Sequence, residues 1–187
     1  MKDWTKLRSE AGPDLKLFRT RYDWMQNPRN GHVQPMLVVE GRDAVQVVAE
    51  TVTGEILLVR QYRFGTGAFI YELPGGALDS GEAPAEAARR ELSEETGYQA
   101  AEWMPLGRNA SNPVFMSSYI HHYLARGAAP EGEQVLDLGE DISVVTLPVQ
   151  EVWTMLMAGA FDHPHTVCGL LAYFAQRGIS LPAQELV

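Results

Sequence analysis

Three glutamates, Glu91, Glu94 and Glu95, fall within the short run Arg90-Glu91-Leu92-Ser93-Glu94-Glu95. On a helix, residues three and four apart share a face, so this spacing gathers three carboxylates on one side. Like charges so placed cost an isolated helix a few tenths of a kcal/mol per pair, and local stability therefore does not explain them. A bound hard cation would, because Mg²⁺ takes oxygen ligands and leaves room for water and substrate phosphates. The plain alternative is a solvated acidic face. Arg90 stands four before Glu94 and can steady it as an ion pair.

The elements that must hold these side chains are legible around them. Pro74-Gly75-Gly76 forms a tight turn, and an acidic loop runs on through Glu82. Pro84 suits a first helical turn, where its missing N–H would go unpaired, and Gly97 can end the helix in the left-handed conformation. Ala85, Ala88, Leu92 and Thr96 fall on the adjoining face and are expected to dock against a core.

Upstream, Met1 to Pro13 is polar and reads as a loose lead-in. Phe18, Thr20, Tyr22 and Trp24 recur at period two opposite Arg19, Arg21 and Asp23, which predicts a strand over Leu15 to Met25. A turn at Asn27 to Gly31 leads to a second strand ending near Glu40. Ala44 to Thr51 and Glu55 to Tyr62 form a hairpin around Thr53-Gly54, and Phe69 to Leu73 is a short strand. Downstream, strands are predicted over Gln99 to Gly107, Tyr119 to Ala125 and Ile142 to Leu147, with an acidic loop at Gly127 to Asp141. Helices follow at Val149 to Met157 and from an N-cap at Asp162 to Gly178. Trp153, Met155 and Met157 read as core. The irregular mixing of strands and helices predicts an α+β fold with a mixed sheet.

The chain has 187 residues and a net charge of −9, which argues against nucleic-acid or anionic-membrane partners. Twelve of its 24 acidic residues lie between Asp79 and Asp141, local to the carboxylate helix. No apolar run of about 18 residues appears, and the N-terminus lacks the apolar core of a secretory signal. The single cysteine, Cys168, excludes a disulfide framework and is expected to be a buried thiol of a cytoplasmic protein. His121 and His122 must point to opposite faces of a strand. For His163 and His165 a capping role at a helix start suffices.

Gly76, five residues, Glu82, seven residues, then Arg90-Glu91-Leu92-Ser93-Glu94-Glu95-Thr96-Gly97-Tyr98 resembles the Nudix box position for position. That pattern displaces the solvated-face alternative. It implies a Nudix-type α/β/α sandwich with a mixed sheet, preceded by a small N-terminal antiparallel β-sheet, and metal-assisted attack of water on a phosphate anhydride. In the family the carboxylates matching Glu91 and Glu95 bind Mg²⁺ (or Mn²⁺), with Glu94 as a further ligand and the Gly75 carbonyl as another. Glu82 holds Arg90 or the loop, and Arg90 and Glu94 belong to the catalytic set.

Val59-Arg60-Gln61-Tyr62-Arg63, followed by Glu72-Leu73-Pro74-Gly75-Gly76, resembles the lead-in of the ADP-ribose pyrophosphatase and nucleoside diphosphate sugar hydrolase branch. Arg60, Arg63 and Glu72 are thus expected at the substrate, since guanidinium forks pair bidentately with phosphate. A strand-edge ion pair, for instance with Glu72, is the alternative for these arginines. Pro113 stands 15 residues past Tyr98, as a proline does in ADP-ribose pyrophosphatases. Asn112-Pro113-Val114-Phe115 replaces their Ser-Pro-Gly, which leaves GDP-mannose and other sugar nucleotides open.

In this branch the N-terminal strands, here residues 1–43, form a segment that dimerises and lines the substrate, ahead of the hydrolase domain at 44–187. Tyr22, Trp24 and Arg29 are then candidates for base stacking or phosphate contact across a homodimer, with packing the alternative for the two aromatics. The catalytic base of such enzymes comes from a loop like Leu138-Gly139-Glu140-Asp141-Ile142, which nominates Glu140. Some relatives carry a second glutamate where this chain has Leu138, so Asp137 or a box glutamate must take the other role. Two further readings stay open: a Nudix pyrophosphatase acting on nucleoside triphosphates or dinucleotides, and a non-catalytic domain that senses nucleotide sugars.

Overall fold

The structure, a computed structural model, describes residues 1–178 of the chain. Two compact units form. The first is Met1–Asp43 with Asn109–Tyr119, and the second takes Ala44–Arg108 and the described chain from Ile120. The segment 109–119, which a division at residue 43 leaves with the rest of the chain, therefore packs with the N-terminal strands.

In the first unit β1 (Thr5–Asp14), β2 (Arg19–Gln26) and β3 (Val33–Glu40) make an antiparallel sheet in that order. Residues 1–13 are thus not a loose lead-in. β1 lacks apolar alternation because it is exposed along nearly its whole length and is held by its pairing to β2. The faces of β2 also differ from expectation. Asp23 is buried, bound by Ser9 and Arg21, whereas Tyr22 is exposed and Trp24 only half-buried beneath the Arg8 guanidinium. The segment 109–119 pairs with β3 through Val39 N–H to the Phe115 carbonyl and Ser117 N–H to the Val39 carbonyl.

The second unit contains β4 (Ala44–Thr51), β5 (Glu55–Arg63), β6 (Ala68–Glu72), α1 (Pro84–Thr96), β7 (Tyr98–Gln99), β8 (Glu102–Ala110), β9 (Tyr119–Pro130), β10 (Ile142–Pro148), α2 (Val149–Met157) and α3 (Pro164–Gln176). Its sheet runs β10-β5-β4-β9-β7, with β6 on β5 and β8 on β9. β4 and β9 are parallel and the β5 pairings antiparallel, so the sheet is mixed as expected. β4 and β5 are near-continuous apolar runs because helices cover both faces. Val45, Val47, Ala49 and Leu57 pack with Ala87, Ala88 and Leu92 of α1. On the other face Val48, Ile56 and Leu58 meet Val152 and Leu156 of α2 and Leu170, Tyr173 and Phe174 of α3.

Several side chains depart from their expected places. Ala85 is exposed and Ala87 takes its place in the docked stripe of α1. Met157 is exposed, because α2 buries Val152 and Leu156 instead. α3 buries Thr166, Gly169, Leu170, Tyr173 and Phe174, which leaves Cys168 on the exposed side. The N-cap of α3 is His163 rather than Asp162, with no side-chain cap.

Candidate active site

α1 begins with Pro84, and Glu86 reaches back to the Ala83 N–H at 3.3 Å. It ends at Gly97, whose φ of 72° lets its N–H close on the Ser93 carbonyl at 2.8 Å. Docking of Ala87, Ala88 and Leu92 draws Glu91 and Glu95 inward until they are 8% and 3% exposed. Glu94, around the helix, stays partly open.

The backbone facing these carboxylates comes from a split in the sheet. β4 pairs with β5 only at Ala49↔Leu57 and Glu50↔Ile56, then the strands part. Leu73 to Gly76 fills the gap, and the Pro74 and Gly76 carbonyls accept the Val47 and Val45 N–H groups. At Gly75 φ is 155°, and a Cβ would stand 2.1 Å from the Val45 carbonyl oxygen. At Gly76 a Cβ would fall 2.5 Å from Glu91 Oε1. At Gly75, where the clash is with backbone, only glycine permits this approach, and through it the Gly75 N–H donates to Glu95 Oε2 at 2.7 Å.

Arg90 is the hub of the charge network. It forks onto Glu82 at 2.8 and 2.9 Å, and its Nη1 donates to Glu91 at 2.8 Å and Glu94 at 3.0 Å. Arg90 pulls Glu82 down to about 2, and Glu82 in turn raises Arg90. The buried carboxylates move the other way. Burial raises Glu91 against the pull of Arg90, and burial raises Glu95 to about 8, with the charges of Glu91 and Glu140 adding to it.

The acidic loop caps the C-terminal end of α1. Val135 N–H binds the Glu94 carbonyl, Gln134 Nε2 binds that of Glu95 at 2.6 Å, and the Glu131 and Gly132 N–H groups bind that of Gly97. These are helix-end acceptors that would otherwise lack partners. The loop ends in a turn where Asp137 N–H donates to Glu140 Oε2 at 3.0 Å. Glu140 thereby comes close enough to act on Glu91, Glu95 and Arg63 electrostatically. Leu138 projects fully into solvent.

The ion pair with Glu72 is made by Arg63. Its Nε and Nη2 bind the two oxygens at 2.6 and 2.7 Å, and Glu72 is 1% exposed. The reason is strand parity: Arg60 lies on the opposite face of β5, its guanidinium over Phe69. Arg63 lines a cavity of about 130 Å³ with Gly75, Gly76, Gln46 and His163. Sequence reasoning missed the last two. Gln46 was detectable as a lone polar residue in the run Ala44-Val45-Gln46-Val47-Val48; His163 carried no signal beyond its place at a helix start. Trp24, Arg29 and Pro113 lie in the first unit, Arg29 and Pro113 both exposed.

The donor set fits a hard cation. Two buried carboxylates are held above their ordinary range, as expected where a compensating positive charge belongs. Among the described residues no three His, Cys, Asp or Glu side chains form a ready-made cage, but Mg²⁺ is usually bound through one or two carboxylates and completed by water and phosphate.

Comparison with known proteins agrees. The NUDIX domain matches residues 41–168. The ADP-ribose pyrophosphatase of Mycobacterium tuberculosis (strain ATCC 25618 / H37Rv) is 34% identical over 175 residues, 92% of this chain and 84% of that protein. The ADP-ribose pyrophosphatase of Bacillus subtilis (strain 168) is 33% identical over 65% of this chain and 66% of its own length. A crystal structure of an ADP compounds hydrolase superposes with a TM-score of 0.83 at 26% identity, covering 95% of this chain and 97% of the other. With its box glutamates buried against glycine backbone and its relatives alike in sequence and fold, the chain belongs to the Nudix family.

Proposed function

We propose that this protein hydrolyses the diphosphate bond of ADP-ribose or a related nucleoside diphosphate sugar, releasing a nucleoside monophosphate and a sugar phosphate. The observation that carries this is the buried Glu91–Glu95 pair behind Gly75 and Gly76, next to a cavity lined by Arg63. The names of the mycobacterial and Bacillus relatives support the substrate class.

Nudix hydrolases generally use divalent metal ions. Mg²⁺ (or Mn²⁺) would be held by Glu91, Glu95 and the Gly75 carbonyl, with Glu94 as a further ligand. Such an ion neutralises phosphoryl oxygens and makes bound water more acidic. Arg90, locked by Glu82, aims Glu91 and Glu94. Glu140 accepts the proton of the attacking water; the new P–O bond forms as the bridging P–O bond breaks, and the bridging oxygen leaves with one phosphate. Arg63, fixed by Glu72, offers positive charge to the substrate oxygens; Arg60, expected beside it, stands on the other face of β5 and leaves that part to Arg63.

Residues 1–43 act as the dimerisation and substrate-lining segment of a homodimer, with Trp24, Arg29 and Pro113 contacting the nucleotide. The exposed Tyr22, Met36 and Leu37 support that role. Among the described residues no helix is long and apolar enough to cross a membrane, and a cytoplasmic setting suits the substrate.

A phosphatase-coupled assay over ADP-ribose, GDP-mannose, ADP-glucose, UDP-glucose, NADH, nucleoside triphosphates and dinucleoside polyphosphates, with and without Mg²⁺, tests this. A sugar nucleotide should lead the panel and turnover should need the metal. Preference for triphosphates or dinucleotides, or no turnover at all, would overturn it.

A further inference from the structure

Gln46 sits in the apolar run of β4 and is only 6% exposed. A buried amide needs its hydrogen bonds accounted for. Its Nε2 lies 3.3 Å from Thr166 Oγ1 and 3.5 Å from His163 Nδ1, and Thr166 Oγ1 also accepts the Leu73 N–H at 3.2 Å. The other end, Oε1, is buried with no hydrogen-bond partner among the described residues. Turning the amide over exchanges the two atoms and still leaves one end unmet, which is costly for a buried group.

That amide and His163 line the cavity shared with Gly75 and Arg63. At about 130 Å³ it holds the liquid share of about four waters, room for a sugar-sized group and not for a nucleotide. Charge decides the class of group. Arg63 commits two donors to Glu72, and burial holds His163 toward its neutral form. The wall around Gln46 is thus close to neutral, unlike the carboxylate face on α1. With Gln46 Nε2 on His163 Nδ1 and Thr166, the pair keeps one acceptor, Gln46 Oε1, and one donor, the His163 Nε2–H. A hydroxyl, which both donates and accepts, complements that set better than an ionised phosphate, which only accepts.

We propose that Gln46 and His163 form a hydroxyl-reading subsite that selects a polyhydroxylated sugar on the far side of the diphosphate. This rests on the sugar-nucleotide function proposed above. Gln46→Met keeps the volume and removes the hydrogen bonds; His163→Ala changes a partly exposed side chain and serves if Gln46→Met does not fold. Both are compared with the parent enzyme on ADP-ribose and on the methyl ester of ADP, which has no distal hydroxyl. Either substitution should lower the kcat/KM ratio of ADP-ribose over the methyl ester about tenfold. The dissociation constant of ribose 5-phosphate, measured by calorimetry in EDTA, should rise by a similar factor. Equal losses on both substrates, unchanged ratios, or no ribose 5-phosphate binding to the parent enzyme would overturn the subsite. A parent enzyme that binds ribose 5-phosphate through Gln46 yet hydrolyses no sugar nucleotide would overturn the function and retain the subsite.

Discussion

Every buried apolar side chain of the described residues lies in the second unit, from Val45 to Phe174, while the buried residues of the first unit are polar: Thr20, Asp23 and Ser118. Each unit buries acid, with opposite consequences. Asp23 in the small sheet is held below the ordinary carboxyl range by the Ser9 hydroxyl and by Arg21. Glu95 in the packed unit has one backbone donor and sits at about 8 because burial outweighs it. The first acid is satisfied by its own fold. The second is held at a cost that only a packed core can sustain, and the difference marks where chemistry belongs.

Exchanging charge for amide at the two sites tests that contrast most severely. Glu95→Gln should lower kcat on the order of a thousandfold, because it removes a proposed metal ligand, and should leave the melting temperature unchanged or raised. Asp23→Asn should do the reverse, costing about 1–2 kcal/mol of stability with its ion pairs and sparing kcat. Near-normal turnover in Glu95→Gln would sink the metal assignment.

A smaller loss is expected at the loop. Glu140→Gln should lower kcat about a hundredfold at saturating Mg²⁺, the usual scale of a general base, and Asp137→Asn should cost less. The reverse order would transfer the proton to Asp137.

Acidity gives the next contrast. A carboxyl raised in the fold favours folding while it stays protonated, and that increment is lost as pH rises from the ordinary carboxyl range through about 8 for Glu95. For Asp23, lowered in the fold, stability is present above the ordinary range and lost as pH falls below it. Melts in EDTA should therefore decline between pH 6 and pH 9, and Mg²⁺ should reduce the decline, since it favours the ionised Glu95. A metal-free melting temperature that rises over that window would contradict the assignment.

What could be read in advance follows the same division. α1 and its glutamates were legible because caps, period and box spacing are local in sequence. β4 and β5 were legible because burial on both faces leaves continuous apolar runs. β1 was not, since a strand exposed on both faces and fixed only by β2 carries no hydrophobic alternation. The exposure of Cys168 depends on which face of α3 meets the sheet, and an apolar run alone does not say. The contact between Gln46 and His163 joins residues 117 apart through the split between β4 and β5, and no local pattern encodes it.

The smallest expected effect on folding addresses the first unit. Tyr22 and Leu37 stand opposite each other on β2 and β3, 38% and 43% exposed. A cross-strand apolar pair left open on a sheet without a core is the surface that a second copy would cover. Leu37→Lys leaves the ladder intact and buries no charge within one chain, so the unfolding free energy of a monomer should move by less than about 0.5 kcal/mol. Across an isologous interface the same change brings two lysines into apolar contact and should shift sedimentation from dimer to monomer, with a raised KM if the partner lines the substrate. Unaltered sedimentation of a dimeric Leu37→Lys protein would place the interface elsewhere, and a monomeric parent protein would leave the apolar face of the small sheet without a partner copy.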